Sequence, residues 1–446
     1  MPAKKTALIW FKTNLRLRDN ECLFKAIAEN DEVIPFYCLD DQLFQITAFG
    51  FKKAGDFRLK FLKESLLQLN EDLRNAGSGL LLLKGIPEKE ILRLAKEQGA
   101  QTIYAEKEVA PEELTIAKKV AVELLKLDCT FLTYECRNLF HSSDLPFPVG
   151  QLPEIFTEFR KRTEKIVPVR TIYPQPSIIE SPPIAPLDIA MLNELISSDI
   201  TIDPRAAIQF KGGSVAAHRR LQHYFYETQA IATYKETRNG MIGERYSSKF
   251  SPWLALGCIS AKEIYYEIKA FETLHGANDS TYWLIFELLW RDYFGFCMEK
   301  NASRYFLRSG NQPSKPADTK EFNDDLNKWI NGQTGVPFID ANMTELKFTG
   351  FMSNRGRQNV ASYLCNDLKM DWRYGAAYFE QQLTDYDVCN NWGNWAYLAG
   401  VGNDPRADRY FNIAKQAAIY DPDGRFQRLW LNYKPLENEM RWNSNG

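Results

Sequence analysis

Histidine is scarce in this chain: four occur in 446 residues, and none follows His275. Hydrolytic sites commonly rely on a poised base or a metal, so the scarcity counts against that chemistry. The eight cysteines include no Cys-x-x-Cys, so neither a zinc site nor a disulfide framework is indicated, and reduced, mostly buried thiols in a cytoplasmic protein are expected. Charge of one sign is missing too. The 55 Lys and Arg nearly cancel 57 Asp and Glu, so no whole-molecule field draws the chain to nucleic acid or membrane, and a polyanion partner needs a local basic groove. The most apolar helix candidate, Tyr282 to Met298, is interrupted by Glu287, Arg291 and Asp292, and the opening Met-Pro-Ala-Lys-Lys has no apolar run; neither a membrane segment nor a secretory signal is read. Gly-x-Gly-x-x-Gly and Gly-x-x-x-x-Gly-Lys are absent, which disfavours a standard dinucleotide or P-loop site. No internal repeat or low-complexity tract occurs.

What is present falls into three stretches. Apolar runs at Thr6 to Phe11, Val33 to Cys38, Leu80 to Leu83 and Thr102 to Ala105 read as strands, with Cys129 to Cys136 as the last. Asp56 to Arg74 and Pro87 to Gln98 read as amphipathic helices between them. This alternation implies an α/β domain over residues 1–136, a doubly wound, Rossmann-like parallel sheet covered on both faces. Prolines then cluster, among them Pro174, Pro176, Pro182, Pro183 and Pro186, so residues 137–205 read as an ordered connector running over the surface. Beyond Gly212 the pattern is helical almost to the end, and residues 206–446 are expected to form an all-α domain.

The most informative segment is Thr349-Gly-Phe-Met-Ser-Asn-Arg-Gly-Arg-Gln-Asn-Val-Ala-Ser-Tyr-Leu, followed by Asp371-Trp372-Arg373 and Asp385-Tyr-Asp-Val-Cys-Asn-Asn-Trp-Gly-Asn-Trp395. Amide and guanidinium donors, acids and indoles without histidine suit a large planar, charged cofactor. Asn354, Arg357 and Gln358 occupy adjacent turns of a helix opened by Thr349-Gly350, and Arg357 reaches either Asp371 or Asp385; the same set also reads as a buried polar network that fixes helix packing. Residues 211–249 carry seven Lys or Arg against three Glu. The Tyr246 to Pro252 run at their end reads either as an anion cradle or as simple capping of the next helix. Glu287, Trp290 and Arg291 share a helix face, as an ion pair beside a packed indole or as a pocket wall with a stacking surface. After the first strand, the polar loop Lys12 to Asn20 is either a ligand loop at the carboxyl end of the sheet or a solvated loop in which Arg16 and Asp19 pair.

Together these residues resemble the photolyase and cryptochrome family, most closely its DASH branch, over nearly the full length. The motifs are Trp10-Phe-Lys-Thr-Asn-Leu-Arg-Leu-Arg-Asp-Asn20, Tyr234-Lys-Glu-Thr-Arg-Asn-Gly240, Lys249-Phe-Ser-Pro-Trp-Leu-Ala-Leu-Gly257, Tyr282-Trp-Leu-Ile-Phe-Glu-Leu-Leu-Trp-Arg-Asp-Tyr293, Asp340-Ala-Asn-Met343 and Asn390-Asn-Trp-Gly-Asn-Trp-Ala-Tyr397. The resemblance implies FAD in the helical domain. It brings Tyr234, Ser247, Ser248 and Ser251 near the phosphates, with Lys249 and Phe250 between them, and Glu287, Arg291, Asn354, Arg357, Asp385, Asp387 and Asn391 around the cofactor, Asn391 facing the flavin N5. The implied activity is blue-light repair of cyclobutane pyrimidine dimers by an electron from reduced flavin, with Glu287 contacting the dimer, Trp290 stacking beside it, and Arg355, Gln358 and Tyr397 on the DNA side.

Gln358 and Tyr397 stand where duplex-acting dimer photolyases have Met and a second Trp, so the implied partner is single-stranded or locally unpaired DNA. Six-four repair is not expected, since it needs histidines over the flavin. Trp395 and Trp372 match the first two members of the flavin-photoreduction chain, but the third position holds Thr319, which implies slower photoreduction or an exit through Tyr374 or Tyr378. An antenna, 5,10-methenyltetrahydrofolate, is implied between the domains, with Glu108 matching the pterin-binding acid. A monomer without metal is expected. The competing reading is a flavin photoreceptor that binds nucleic acid and regulates without repair; an α/β enzyme working in the dark would need a catalytic motif that the chain does not show.

Overall fold

The computed structural model describes residues 4–196, 200–312, 319–403 and 410–431. Its first part is a five-stranded, all-parallel sheet of β1 (Thr6–Phe11), β2 (Glu32–Asp40), β3 (Leu81–Gly85), β4 (Thr102–Glu106) and β5 (Thr130–Tyr134), in the order β3-β2-β1-β4-β5. Helices α1 (Glu21–Glu29), α2 (Asp56–Asn75), α3 (Pro87–Gln98) and α4 (Pro111–Leu124) connect the strands. Only α2 and α3 were expected from periodicity. The start of α1 is set by Asn20, whose side chain accepts from the Leu23 N–H, so the polar loop that hides the helix also caps it.

Alternate residues of β1 serve different cores. Leu8 and Trp10 pack with Ile91, Leu94 and Val120 of α3 and α4. Ala7, Ile9 and Phe11 face a second core that runs on without a break into the helical part of the molecule. The chain leaves the sheet through a connector with two short helices, α5 (Phe156–Thr163) and α6 (Ile189–Asn193). Phe156, Phe159, Leu187 and Leu192 are buried there, so the connector is stitched to the core rather than laid over it.

The helical part comprises α7 (Ser214–Gln222), α8 (Tyr234–Thr237), α9 (Ser251–Ala255), α10 (Ala261–His275), α11 (Asp279–Asn301), α12 (Asp324–Asn331), α13 (Pro337–Thr349), α14 (Asn354–Ser362), α15 (Trp372–Gln382), α16 (Val388–Leu398), α17 (Ile413–Tyr420) and α18 (Arg425–Leu431). Among the described residues no helix is long and apolar enough to cross a membrane.

The loop Lys12 to Asn20 is neither a solvated loop nor mainly a ligand loop. It is the joint between the two parts. Arg16, 2% exposed, donates to the carbonyls of Gly257 (2.9 Å), Cys136 (2.8 Å) and Asp19 (2.8 Å). The Asp19 carboxylate pairs instead with Lys262 at 2.7 Å. Gly257 has φ +66°, and a Cβ there would run into the Thr13 carbonyl, so glycine is required where the backbones meet.

Candidate functional site

Helices α14, α15 and α16 form one wall of a small cavity. Gly350, at φ +67°, caps the end of α13, and α14 begins after it with the Ser353 hydroxyl accepting from the Gly356 N–H at 3.0 Å. The Thr349-Gly350 pair therefore closes one helix rather than opening the next. Arg357 donates Nη2 to both oxygens of Asp385 (3.0 and 2.8 Å) and Nε to the Met352 carbonyl (2.9 Å). Asp371 is not its partner; that carboxylate caps α15 and holds Arg373 at 2.7 Å. On α16, Asn391 gives Nδ2 to the Ala376 carbonyl at 2.9 Å, which fixes the amide and leaves Oδ1 as its free acceptor. Asn354, Arg357, Gln358, Asp385, Asp387, Asn391 and Trp395 all line this cavity of about 100 Å³.

None of the expected residues Tyr234, Ser247, Ser248, Lys249, Phe250, Ser251, Glu287 and Arg291, on α8, α11 and the segment leading into α9, lines this cavity. Asp387 caps α16, accepting from the Asn390 N–H at 2.8 Å, and its carboxylate binds Arg137. Burial alone would raise its pKa, but Arg137 wins and holds it down at about 2. The Arg137 carbonyl accepts from Arg291 Nη1 at 2.5 Å, and Arg291 Nη2 donates to the Leu254 carbonyl at 3.0 Å, tying α11 to both α9 and α16. Burial, and then the neighbouring Arg137, lower the Arg291 guanidinium to about 10. Glu287 lies against Arg238 of the turn after α8, beside the buried Tyr234. Simple capping does not describe the serine segment: α9 has no side-chain cap, and Arg220 threads behind it, donating to the carbonyls of Ser247 (3.1 Å) and Ser248 (3.0 Å).

Lys249 is the most telling of these residues. It is buried, has φ +56°, and among the described residues has no carboxylate at ion-pair distance; its ammonium sits over the Tyr246 ring at 3.1 Å from the centroid. The Tyr246 hydroxyl, Glu345 Oε2 and Arg137 Nε are buried without a hydrogen-bond partner. Burial pushes Glu345 up to about 8, against the pull of Lys249 and Arg357. Orphaned polar atoms and a buried lysine that, among the described residues, has no ion-pair partner and donates only to the Glu244 carbonyl (3.3 Å) and the Ser247 hydroxyl (3.4 Å) fit an anionic, hydrogen-bonding group such as a dinucleotide diphosphate. The enclosed volume is below the ~300 Å³ usual for ligand pockets. Arg355 binds Gln358 Oε1 (2.8 Å) and Asn239 Oδ1 (2.9 Å), and Arg238 meets Glu287.

Trp290 stacks on Phe156 of the connector at 3.7 Å between centroids and meets Tyr397 edge-on at 5.8 Å. Arg137, Arg220, Arg238, Tyr246 and Glu345 were not singled out from sequence. The basic excess of residues 211–249 contained two of them, but local spacing does not say which arginines turn inward.

A second, larger cavity of about 580 Å³ lies between the sheet and the helical part. It lies over the carboxyl ends of β1 and β2 and reaches Glu108 in the loop after β4; the strand order reverses between β1 and β4, the kind of point where open α/β sheets bind ligands. Thr13 donates to Glu106 there at 2.7 Å, and Glu108 pairs with Lys12. Arg58, Glu113, Tyr386 and Trp392 also line it.

Two family models match the chain: one described as DNA photolyase over residues 7–177, and one described as the FAD binding domain of DNA photolyase over residues 283–439. A cryptochrome DASH of Synechocystis sp. is 46% identical over 96% of this chain and 87% of that protein. The crystal structure of a Synechocystis sp. cryptochrome superposes with a TM-score of 0.91 at 45% identity, covering 97% of this chain and 90% of that one. An archaeal photolyase from Sulfolobus tokodaii, solved with two FAD molecules, superposes at 0.77 with 27% identity, covering 96% and 90%.

Proposed function

Since the chain belongs to the photolyase and cryptochrome family, with relatives named cryptochrome DASH and a helical domain of the FAD-binding type, we propose that it repairs cyclobutane pyrimidine dimers by blue light, preferring single-stranded DNA. The observation that carries this reading is the corner of Trp290 and Tyr397 beside the cavity lined by Asn391 and Gln358. When bound, FAD supplies the light-excited electron that splits the cyclobutane ring. The protein's own residues position and insulate. Asn391 presents a neutral carbonyl oxygen that cannot deliver a proton, and Glu287, paired with Arg238, is the carboxylate that would contact the dimer. Trp290, half-buried and backed by Phe156, is the indole offered to a flipped base.

A phenol at Tyr397 offers less stacking area than an indole. Base–aromatic stacking is worth ~1–3 kcal/mol and extracting a base from duplex costs a similar amount, so the smaller corner favours a strand that is already unpaired. Arg355 and Gln358 would meet that strand on the same side, and the protein would act as a cytoplasmic monomer. The inter-domain cavity is suited to a planar antenna, and 5,10-methenyltetrahydrofolate with its pterin against Glu108 is the proposed occupant. Chromophores released on denaturation identify it.

The test is to load the protein with FAD, reduce it under blue light and follow dimers in single-stranded and duplex oligonucleotides, in light and dark. Light-dependent loss on single strands, with little in duplex, is the expected result. Equal loss on both removes the strand preference. Flavin uptake without any loss leaves a photoreceptor, and no flavin uptake removes both light-driven readings.

A further inference from the structure

The cofactor cavity and the inter-domain cavity share a wall one helix thick. α16 turns Asn391, Asn394 and Trp395 to the first and Val388 and Trp392 to the second, and Tyr386 lines both. Trp392, 4% exposed, makes an edge-on contact with Trp372 at 5.8 Å and a tilted one with Phe306 at 4.7 Å. Its Nε1–H donates to Glu380 Oε2 and to the Tyr386 hydroxyl, each at 3.3 Å.

Resting on the flavin reading above, we propose that Trp392 is a redox relay: its indole gives an electron toward Trp372 and the cofactor cavity, its Nε1 proton passes to Glu380, and a neutral indole radical remains against the inter-domain cavity. The oxidant is oxidised flavin excited by light. One electron moves inward along Trp395, Trp372 and Trp392, each ring refilled by the next, while one N–H bond breaks on Trp392 and one O–H bond forms on Glu380. The Trp395 ring lies against Gly375, one turn along α15 from Trp372, where a Cβ would collide with it.

The choice of Trp392 follows from proton acceptors. An indole that has lost an electron becomes a strong N–H acid, and the charge stays where a base can take the proton. Trp372 gives its Nε1–H to the Arg308 carbonyl (3.0 Å) and Trp329 to the Val360 carbonyl (3.1 Å), and neither carbonyl is a base. Trp392 alone of the three faces a carboxylate. Thr319 has no ring, and its hydroxyl is held by Arg308 at 2.8 Å. Tyr374 is reached through Phe49 (5.3 Å) and borders Phe322 (6.1 Å), phenyl rings that excited flavin does not oxidise. Tyr378 contacts Trp329 at 5.9 Å, but burial alone raises its pKa and no titratable neighbour offers to take its proton.

The experiment is a laser flash on flavin-loaded protein, with transient absorption and electron paramagnetic resonance on samples carrying ring-deuterated tryptophan. Wild type is expected to end on a neutral indole radical. Trp392→Phe loses that signal while taking up flavin normally, which shows that the variant is folded. Glu380→Gln keeps an indole radical but as the cation, which decays faster. A wild-type signal in Trp392→Phe overturns the relay, as does a neutral radical formed unchanged in Glu380→Gln, or loss of the terminal radical in Tyr374→Phe or Tyr378→Phe. Flavin uptake with no protein radical in wild type overturns the relay and spares the flavin reading. Absence of flavin uptake sinks both.

Discussion

Asp387 has two tasks at once, capping α16 and neutralising Arg137 beside Arg291. Its shift from the usual 3.8 to about 2 corresponds to about 2 kcal/mol of folding stability. The sign follows from a depressed acid: the contribution is full above the unfolded value, near 4, and is lost as pH falls through about 2. Asp387→Asn is expected to lower stability at neutral pH by ~3–5 kcal/mol, because it strands a buried guanidinium. Urea unfolding at a series of pH values should show the gap to wild type narrowing as pH drops below about 4. A gap constant across that range would show that the Asp387 charge is not the source of the lost energy, since asparagine caps a helix as well as aspartate. Trp290 makes the complementary case for the substrate. Trp290→Ala is expected to weaken binding of dimer-containing single strands by ~1–3 kcal/mol in fluorescence anisotropy, with flavin uptake intact. Unchanged affinity would mean that the ring serves only to pack on Phe156.

Helix contacts decide which side chains reach the smaller cavity. α15 and α16 touch through Gly375, whose missing Cβ admits both the Trp395 ring and Leu364. Gly375→Ala is expected to destabilise by ~1–3 kcal/mol through overpacking and to displace Trp395, visible as a lower unfolding midpoint and altered indole fluorescence. If only the midpoint changes, Trp395 is not held by this contact. Such contacts explain what was legible in the chain. The strands were readable because each is a short apolar run bounded by turn residues, and α3 matched from Pro87 to Gln98. The helical architecture was readable, but the punctuation inside it was not: Gly350 suits either end of a helix, and only the Ser353 cap and the φ of +67° decide. Asp371 and Asp385 were equal candidates for Arg357 because two helix ends offer similar carboxylates, and sequence spacing carries no tertiary distance. Glu345 drew no reading and Tyr246 only marked the start of the serine run, since burial without a partner arises only in the folded chain.

At the scale of the whole molecule, the joint at Arg16 couples the sheet to the site. The guanidinium serves carbonyls of three separate segments, at Asp19, Cys136 and Gly257, and Arg137 follows directly on the second of them. The Leu15 N–H adds a bond to the Leu256 carbonyl at 3.0 Å. Lys12 and Thr13, at the start of the same loop, line the inter-domain cavity. Replacing Arg16 with Met keeps the aliphatic stem but leaves these buried carbonyls without donors, at ~1–3 kcal/mol each. The core shared between sheet and helices would remain, yet the polar stitching that aligns them would not. Arg16→Met is therefore expected to lower the unfolding midpoint and to split one calorimetric transition into two, the helical part melting apart from the sheet. Loss of a chromophore from the inter-domain cavity should precede loss of flavin, because the cavity is built from both parts, whereas the smaller one is walled mainly by helices. A single transition at the wild-type midpoint, with both chromophores retained, would show that apolar contact alone joins the halves.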